Sequence, residues 1–266
     1  MLCPICQTDK NLIKIREGVF PIVGPFALQR CTGCSLIQTD PTPYPAYGEL
    51  YSVQDRFKYW QDHQSLLTEY AQRDVAWVQK YHKGGDWLDI GCNVGGTLDG
   101  AKAAGFKTYG VEVSNGAEVA EAHGHTLYRG LWDANAFTGQ SFDVISLIHV
   151  MEHIHEPVPF LALTKGRLRA GGHVFICLPN YNSLMRRAKG DGWYGLGTDQ
   201  HVWQYEAQSL QRLVEKSGLQ VVDVFNRSMD HRDPNRPAWK QALVSATLTA
   251  AKLLNWQDEL CLVAKA

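Results

Sequence analysis

The sequence lacks the features that mark membrane, secreted or repeat proteins. No apolar run reaches the roughly eighteen residues of a membrane-spanning helix, and the longest candidate, 242–254, is short and contains Ser, Thr and Lys. Residues 1–6 have no charged segment ahead of an apolar core, so they do not resemble a secretory signal. There is no internal repeat and no low-complexity tract. We therefore expect a cytoplasmic globular protein without membrane contact.

A surplus of basic charge is also missing. The chain carries 26 Lys and Arg against 27 Asp and Glu, a net charge of −1. A general nucleic-acid binder usually carries a basic excess, so this balance argues against one. The 266 residues, of which 45% are hydrophobic, suffice for one full α/β domain with a small appended unit.

The segment 86–97 is the most informative stretch. It predicts a buried strand at 87–90, a glycine-rich turn and a helix from about Thr97. Asp89 precedes the turn, and Gly91 and Gly95 allow main chain to bend and approach a ligand. A third glycine is absent, because Asn93 stands at its position. Asn tolerates positive φ well, so the turn can keep its shape.

An acidic residue follows about twenty positions later. Residues 107–113 predict a second strand with Glu112 near its carboxyl end, where a carboxylate can accept hydrogen bonds from both ribose hydroxyls. NAD and S-adenosylmethionine enzymes share this arrangement. Because the loop is Gly91-x-Asn93-x-Gly95 and not G-x-G-x-x-G, an NAD-dependent dehydrogenase is disfavoured. Two later segments add to the pattern: strand 142–148 followed by His149-x-x-Glu152-His153, and a Gly171-Gly172 turn before strand 173–178.

Together these segments resemble the class I S-adenosylmethionine-dependent methyltransferases, especially the ubiquinone-biosynthesis O-methyltransferases. The resemblance covers about 84–226 and implies a Rossmann-like, seven-stranded α/β sheet closed by an antiparallel strand at 260–264. It implies S-adenosylmethionine bound by the glycine loop, by Glu112 on the ribose and by Trp132 and Asp133 near the adenine. Trp132 as a core residue is the competing interpretation. Expected cofactor contacts are Asp89, Gly91, Cys92, Gly95, Glu112, Val113, Trp132, Asp133 and His149.

Methyl transfer to a hydroxyl requires that the hydroxyl lose its proton, and histidine titrates near neutrality. His153, just beyond a strand end, is the first candidate for this base, His201 the second and His149 the third. The alternative is that Glu152 and His153 only brace the loop. An Asn/Asp-Pro-Pro-Tyr motif, found in many methylases of base amines and amides, is absent after this strand.

The insert 180–205 is expected to form the acceptor pocket, since it follows a strand end and is rich in small and aromatic residues. Trp193, Tyr194 and Trp203 could stack on a sugar or aromatic ring, and Arg186 could bind a phosphate or carboxylate. The alternative is that the basic cluster of Arg186, Arg187 and Lys189 is only a solvated helix face.

Two Cys-x-x-C pairs, Cys3/Cys6 and Cys31/Cys34, predict a zinc ribbon. Two disulfides or a rubredoxin-like iron site are the alternatives. Four cysteines close the coordination shell, so the zinc is expected to be structural, and the ribbon to serve as a wall, lid or scaffold. Ribbons fused to similar domains occur in bacterial sugar methyltransferases, which suggests a sugar acceptor.

We therefore divide the chain into a ribbon with a proline-rich linker (1–48), a helical lid (49–83) and a methyltransferase domain (84–266). Aromatic residues at the first boundary could line a pocket: Tyr47, Tyr51, Phe57, Tyr59 and Trp60. Helix 241–254 is expected to pack on its own domain, with a homodimer contact as the alternative.

The leading hypothesis is an O-methyltransferase acting on a small molecule such as a sugar or glycan intermediate. An RNA methyltransferase that holds its substrate with the ribbon is the second hypothesis. A non-catalytic S-adenosylmethionine-binding partner protein is the third.

Overall fold

The computed structural model describes residues 2–20, 24–42, 64–197, 199–228 and 237–266. They form a four-stranded sheet and a seven-stranded sheet. The five aromatic residues proposed to line a pocket, between 47 and 60, and residues 49–63 of segment 49–83 lie outside these residues.

The small sheet is built from the cysteine-containing segment and one distant strand. Strands β1 (Leu12–Phe20), β2 (Gly24–Cys31) and β3 (Ile37–Asp40) pair antiparallel. Strand β9 (Trp203–Gln204), from the insert, then pairs with the outer edge of β3. The ribbon and the insert therefore share one sheet, which the sequence boundary between them did not anticipate.

The large sheet has the predicted seven strands: β4 (Asp86–Ile90), β5 (Lys107–Glu112), β6 (Thr126–Arg129), β7 (Phe142–Ile148), β8 (Leu168–Pro179), β10 (Gln220–Arg227) and β11 (Glu259–Lys265). Their order across the sheet is β10-β11-β8-β7-β4-β5-β6. The pairs are parallel except those made by β11, which runs antiparallel to β8 and β10. The predicted Rossmann-like fold and its closing antiparallel strand are confirmed.

Seven α-helices are described: α1 (Gln64–Val78), α2 (Gly96–Ala103), α3 (Gly116–Ala122), α4 (Pro157–Gly166), α5 (Leu184–Lys189), α6 (Ala207–Lys216) and α7 (Ala238–Leu254). Pro157 occupies the first helical turn of α4, where a missing N–H costs nothing. Helix α6 begins with a capping box between Glu206 and Ser209.

One strand boundary differs from expectation. We expected the Gly171-Gly172 turn to end before a strand at 173, but β8 already begins at Leu168. Gly171 has φ +78°, and the pairing with β7 shifts register across this point, so the two glycines form a bulge inside the strand.

The core lies on both faces of the large sheet, as parallel strands require. Trp87, Phe142 and Phe175 are almost fully buried. The Trp87 indole N–H donates to Ser146 Oγ at 2.8 Å, so the one polar atom of that ring is satisfied inside the core.

Helices α1 and α7 pack differently. Ala71 and Val75 of α1 are buried, Gly100 of α2 lies against Ala71, and Trp77 stacks on Phe225 of β10 at 3.8 Å. The described part of the predicted lid therefore covers a sheet face.

The expected burial of 241–254 was wrong, because Ala251 is the one buried residue of α7, while Leu243 and Leu253 are exposed. No described helix has both the length and the apolar composition needed to cross a bilayer.

Candidate functional site

The glycine loop lies where the chain reverses its direction of travel across the large sheet. From β4 the chain adds β5 and β6 on one side and then returns to add β7 on the other. Such a switch point leaves a crevice at the carboxyl ends of the strands, the usual place for a ligand in open α/β sheets.

The loop conformation explains its sequence. Gly91, Asn93 and Gly95 have φ of +77°, +48° and +86°. The prediction that Asn93 could take the left-handed conformation is confirmed. A Cβ added at Gly91 would lie 2.8 Å from Val150 Cγ2, so a side chain there would fill the space between the loop and the segment after β7.

Glu112 fixes this loop to the end of β5. Its Oε2 accepts the Asn93 N–H at 2.7 Å, and its Oε1 accepts the N–H groups of Val113 and Ser114 at 2.9 and 2.7 Å. The side chain is 7% exposed. A carboxylate has about four acceptor sites, so one remains for a ligand hydroxyl in this arrangement.

Asp89 and Cys92 lie behind the loop. Asp89 is buried and accepts a hydrogen bond from Ser146 Oγ. Burial, with the nearby charge of Glu112, raises the pKa of Asp89 to about 7 against the lowering effect of Ser146. A Cβ on Gly110 would lie 2.6 Å from Cys92 Sγ, so this thiol packs on the sheet.

The expected adenine side of the site is partly open. Val113 is 36% exposed. Asp133 is directed back to its own turn, where its carboxylate accepts the N–H groups of Asn135 and Ala136 at 2.8 and 3.2 Å. Trp132 is buried and donates to Thr164 Oγ1 at 3.1 Å, which corrects its expected place beside the cofactor in favour of the core.

His149 belongs to a network of buried charges. It has φ +54°, its Nε2 lies 3.0 Å from Glu259 Oε1, and its Nδ1 lies 3.3 Å from Glu152 Oε1. Burial opposes the charged imidazolium, but the two carboxylates outweigh it and raise the pKa of His149 to about 10. Glu259 also pairs with Arg227, which in turn pairs with Asp74. An imidazolium cannot accept a proton, so the expectation of His149 as a base is corrected.

His153 and His201 meet edge to face beside Glu152. Their ring centroids are 4.8 Å apart, and one ligand atom from each of the three residues lies within 4.8 Å of the other two. Burial, together with repulsion from His201, lowers the pKa of His153 to about 4, and burial lowers that of His201. Both imidazoles are therefore neutral at pH 7 and each keeps a lone pair.

The small sheet holds this pair in place. Thr39 of β3 donates from Oγ1 to the His201 carbonyl at 2.7 Å and from its N–H to the Val202 carbonyl at 2.9 Å. The Val202 N–H continues to the Glu152 carbonyl at 2.8 Å. The segment that carries His201, just before β9, is therefore fixed between the ribbon and the turn after β7.

The insert is packed more tightly than expected. Trp193 and Trp203 are each 2% exposed, so the expectation that their rings stack on an acceptor is corrected. Trp203 donates to the Ile154 carbonyl at 2.8 Å. Arg186 lies over the Tyr181 ring at 4.3 Å, whereas Tyr194 is 41% exposed.

The four ribbon cysteines converge. Cys3 and Cys34 sulfurs are 3.4 Å apart, Cys31 and Cys6 sulfurs 3.7 Å, and all four lie within 4.8 Å of one another. A tetrahedral ion with bonds of about 2.3 Å requires sulfurs about 3.8 Å apart, so this set fits zinc or iron. A Cβ on Gly33 would lie 3.1 Å from Cys6 Sγ, which explains the glycine inside the second pair.

Comparison with known proteins agrees with this geometry. A family model described as a methyltransferase domain matches residues 59–224, more than half of the chain. The chain belongs to the class I S-adenosylmethionine-dependent methyltransferases.

Curated relatives of this methyltransferase include ubiquinone biosynthesis O-methyltransferases. That of Ruegeria sp. (strain TM1040) is 30% identical over 158 residues, covering 52% of this chain and 63% of the relative. That of Brucella anthropi is 27% identical over 154 residues, covering 51% and 60%. The matches therefore span less than two thirds of those proteins.

Solved structures show the same fold. An S-adenosylmethionine-dependent methyltransferase from Archaeoglobus fulgidus gives a TM-score of 0.57 at 17% identity, covering 78% of this chain and 99% of that one. One from Mesorhizobium loti gives 0.52 at 17% identity, covering 69% and 92%.

Sequence reasoning missed several residues that shape the methyltransferase site. Glu259 gave one signal, an acidic residue opening an otherwise apolar last strand. Thr39, Arg227 and Asp74 gave none, because their roles arise from segments that are distant along the chain.

Proposed function

We propose that this protein transfers a methyl group from S-adenosylmethionine to a hydroxyl group of a small molecule. The proposal rests on one observation: the glycine loop and the histidine pair lie at the same edge of the large sheet. The left-handed glycine loop with Glu112 follows β4 and β5, and the neutral His153–His201 pair stands beside the turn after β7. Cofactor and proton acceptor would thus face one crevice.

The loop residues fit the cofactor. Main chain at Gly91 and Gly95 would contact the carboxypropyl chain, and Glu112 would accept a ribose hydroxyl with its remaining acceptor site. Val113 would lie near the adenine, where Asp133 remains a candidate. When bound, S-adenosylmethionine supplies a methyl group on a positively charged sulfur.

The histidine pair would remove the hydroxyl proton. His201 Nδ1 lies 2.9 Å from the Gly195 carbonyl and His153 Nδ1 3.3 Å from the Gln200 carbonyl. A carbonyl oxygen only accepts, so each Nδ1 carries the hydrogen and each Nε2 the lone pair. Either Nε2 can act as the base, whereas His149 already carries a proton on both nitrogens.

The acceptor is proposed to be a sugar, a glycan intermediate or another small metabolite. Tyr194 is exposed enough to contact it, and Arg186 offers a half-buried positive charge for a phosphate or carboxylate. The named activity of the curated relatives, O-methylation, supports an oxygen acceptor. Nucleic acid is not expected, given the net charge of −1.

Zinc in the ribbon is proposed as a structural ion. The four sulfurs would fill its shell and leave no open position for chemistry. Through Thr39, the ribbon would then hold the segment that carries His201. We propose a cytoplasmic protein, and the exposed Leu243 and Leu253 of α7 make that helix the candidate surface for a homodimer contact.

The first test is calorimetric titration with S-adenosylhomocysteine of the wild type, Glu112→Gln and Glu118→Gln. Glu118 is the control, because its side chain is 65% exposed on α3. We expect Glu112→Gln to bind at least about tenfold more weakly, or 1.4 kcal/mol, since it loses a charged acceptor. Absence of binding by the wild type would overturn the proposal.

The second test is transfer of labelled methyl groups to sugar nucleotides, catechols and RNA. Labelling of a small hydroxyl compound is the expected result. Labelling of RNA alone would instead support the RNA-methyltransferase hypothesis.

A further inference from the structure

The Glu152–His153–His201 cluster has the composition of a metal site. It brings together two imidazoles and one carboxylate, with one ligand atom from each within 4.8 Å of the others. Two histidines and one carboxylate leave several coordination positions open on a divalent ion, unlike the four cysteines of the ribbon.

The two histidines are oriented as metal ligands are. In metal sites, a ligating histidine usually donates its second ring N–H to a carbonyl or carboxylate, which fixes the tautomer. His201 Nδ1 is 2.9 Å from the Gly195 carbonyl and His153 Nδ1 is 3.3 Å from the Gln200 carbonyl. The main chain of the insert therefore holds both imidazoles in one orientation and one tautomer.

Glu152 supplies the independent observation. Its side chain is 2% exposed, and neither carboxylate oxygen receives a hydrogen bond. His149 Nδ1 lies 3.3 Å from Oε1 without hydrogen-bond geometry, and this imidazole also contacts Glu259 at 3.0 Å. The His149 imidazolium offsets part of the cost of burying this carboxylate, but neither oxygen of Glu152 has a hydrogen-bond donor, so both can still serve as metal ligands.

We propose that Glu152, His153 and His201 bind a divalent transition-metal ion, such as zinc, manganese or iron(II), at the acceptor side of the site. Imidazole favours zinc and iron, and carboxylate favours manganese, so the mixed set suits this class. The hydrogen bond from Val202 N–H to the Glu152 carbonyl, at 2.8 Å, ties the two parts of the cluster together.

The role of the ion rests on the proposed function, although its binding does not. A substrate hydroxyl on an open position would lose its proton to solvent more easily, because a bound cation lowers the pKa of its ligand. That oxygen then bonds to the methyl carbon while the carbon–sulfur bond breaks, and the electron pair remains on sulfur. The products are a methyl ether, S-adenosylhomocysteine and a proton, and the ion keeps its oxidation state. His153 and His201 would then be ligands, not bases.

A matched control exists elsewhere in the chain. Asp99 also lies between two histidines, at 2.9 Å from His123 and 3.1 Å from His125. It is 43% exposed, and His125 already uses its other nitrogen on Thr108 at 2.8 Å. Asp99→Asn therefore removes a carboxylate from a similar cluster without touching Glu152.

The experiment is a Co²⁺ titration of the full chain with the ribbon loaded with zinc, followed by calorimetry and absorption. Variants are Glu152→Gln, His201→Gln, Glu152→Asp and Asp99→Asn. We expect the wild type to bind cobalt without thiolate absorption, with affinity lowered about 100-fold or more in Glu152→Gln and His201→Gln. Glu152→Asp should retain part of the affinity, and Asp99→Asn should bind as the wild type does.

The metal site is overturned if the wild type does not bind cobalt. It is also overturned if Glu152→Gln and His201→Gln bind cobalt with the affinity of the wild type. If these variants do not fold, Asp99→Asn decides: one cobalt without thiolate absorption supports the site, and none refutes it. Titration with S-adenosylhomocysteine in the same samples separates the two proposals, because cofactor binding without cobalt binding leaves the proposed function intact.

Discussion

At the scale of single residues, the site concentrates features that do not favour folding. Asn93 and His149 have positive φ, and Asp89 is a carboxyl group buried where it is not fully compensated. Residues with an unfavourable conformation or environment are usually retained for function, because replacing them often raises the free energy of unfolding. Asp89 offers the clearest measurement.

We expect Asp89→Asn to stabilise the protein more at pH 8 than at pH 5. The pKa of Asp89 is about 7 in the fold and about 3.9 in an unfolded chain. The folded state therefore binds more protons between these values, and the wild type loses stability as pH rises through them, by up to about 4 kcal/mol. The amide cannot ionise, so the variant avoids this loss.

Urea unfolding at pH 5, 6, 7 and 8 measures the difference, with Glu118→Gln as the exposed control. If Asp89→Asn changes the free energy of unfolding equally at every pH, Asp89 is already ionised at pH 5.

At the scale of elements, strand β9 positions the side of the site that we propose for the acceptor. It has two residues and pairs with β3, and His201, two residues before it, is held by Thr39. A weak element is thus positioned by main-chain bonds from two others. Changes in β3 should therefore alter methyl transfer without altering cofactor binding.

We expect Thr39→Val to lower kcat about tenfold while binding of S-adenosylhomocysteine stays the same. Valine keeps the shape but loses the 2.7 Å bond to the His201 carbonyl, so the histidine pair is less well positioned. Thr249→Val is the matched control, since that hydroxyl donates to the Ser245 carbonyl at 2.9 Å on exposed α7. An equal effect of both variants would contradict this role.

The ion pair between Arg30 of β2 and Glu206 before α6 should couple the same elements energetically. Its two hydrogen bonds measure 2.9 and 2.7 Å, and the side chains are 27% and 21% exposed. We expect a double-mutant cycle with Ala at both positions to give a coupling of about 1–2 kcal/mol, as measured by urea unfolding. The exposed Lys14–Glu17 pair should give less than about 0.5 kcal/mol. Equal coupling energies in the two double-mutant cycles would contradict this prediction.

At the scale of the whole molecule, the insert 180–205 links the two sheets, because it follows β8 of the large sheet and contributes β9 to the small sheet. The ribbon sheet is completed by the insert of the large domain, so the two units are expected to be folded together. Loss of the zinc ion proposed for the four cysteines should therefore affect the proposed acceptor side before it affects the large sheet.

We expect Cys34→Ser to remove one equivalent of zinc and to speed amide exchange at Thr39 and Val202. Their N–H groups bond across the sheet and to the turn after β7, whereas Leu88 in the core of the large sheet should stay protected. Cys261→Ser, a buried thiol 3.4 Å from Cys177, is the control and should keep its zinc. Unchanged exchange in Cys34→Ser would show that the ribbon does not support the site.

The large sheet, the glycine loop and the two Cys-x-x-Cys pairs could be predicted from the amino-acid sequence alone. These follow from residues close together along the chain: the alternation of apolar strands and helices, the positive φ that Gly91, Asn93 and Gly95 accept, and the Cys-x-x-C spacing. Interactions between residues that are close along the chain determine these features, so they can be predicted without knowing which distant segments are in contact.

The protonation of the histidines and the packing of the insert follow from contacts between distant segments. His149 is charged because Glu152 lies beside it and Glu259 of the last strand contacts it as well, and Thr39 of the ribbon holds His201 next to His153. Trp193 and Trp203 resembled substrate contacts until the second sheet buried them. Protonation and exposure depend on groups brought together through space, and no local pattern in the sequence records them.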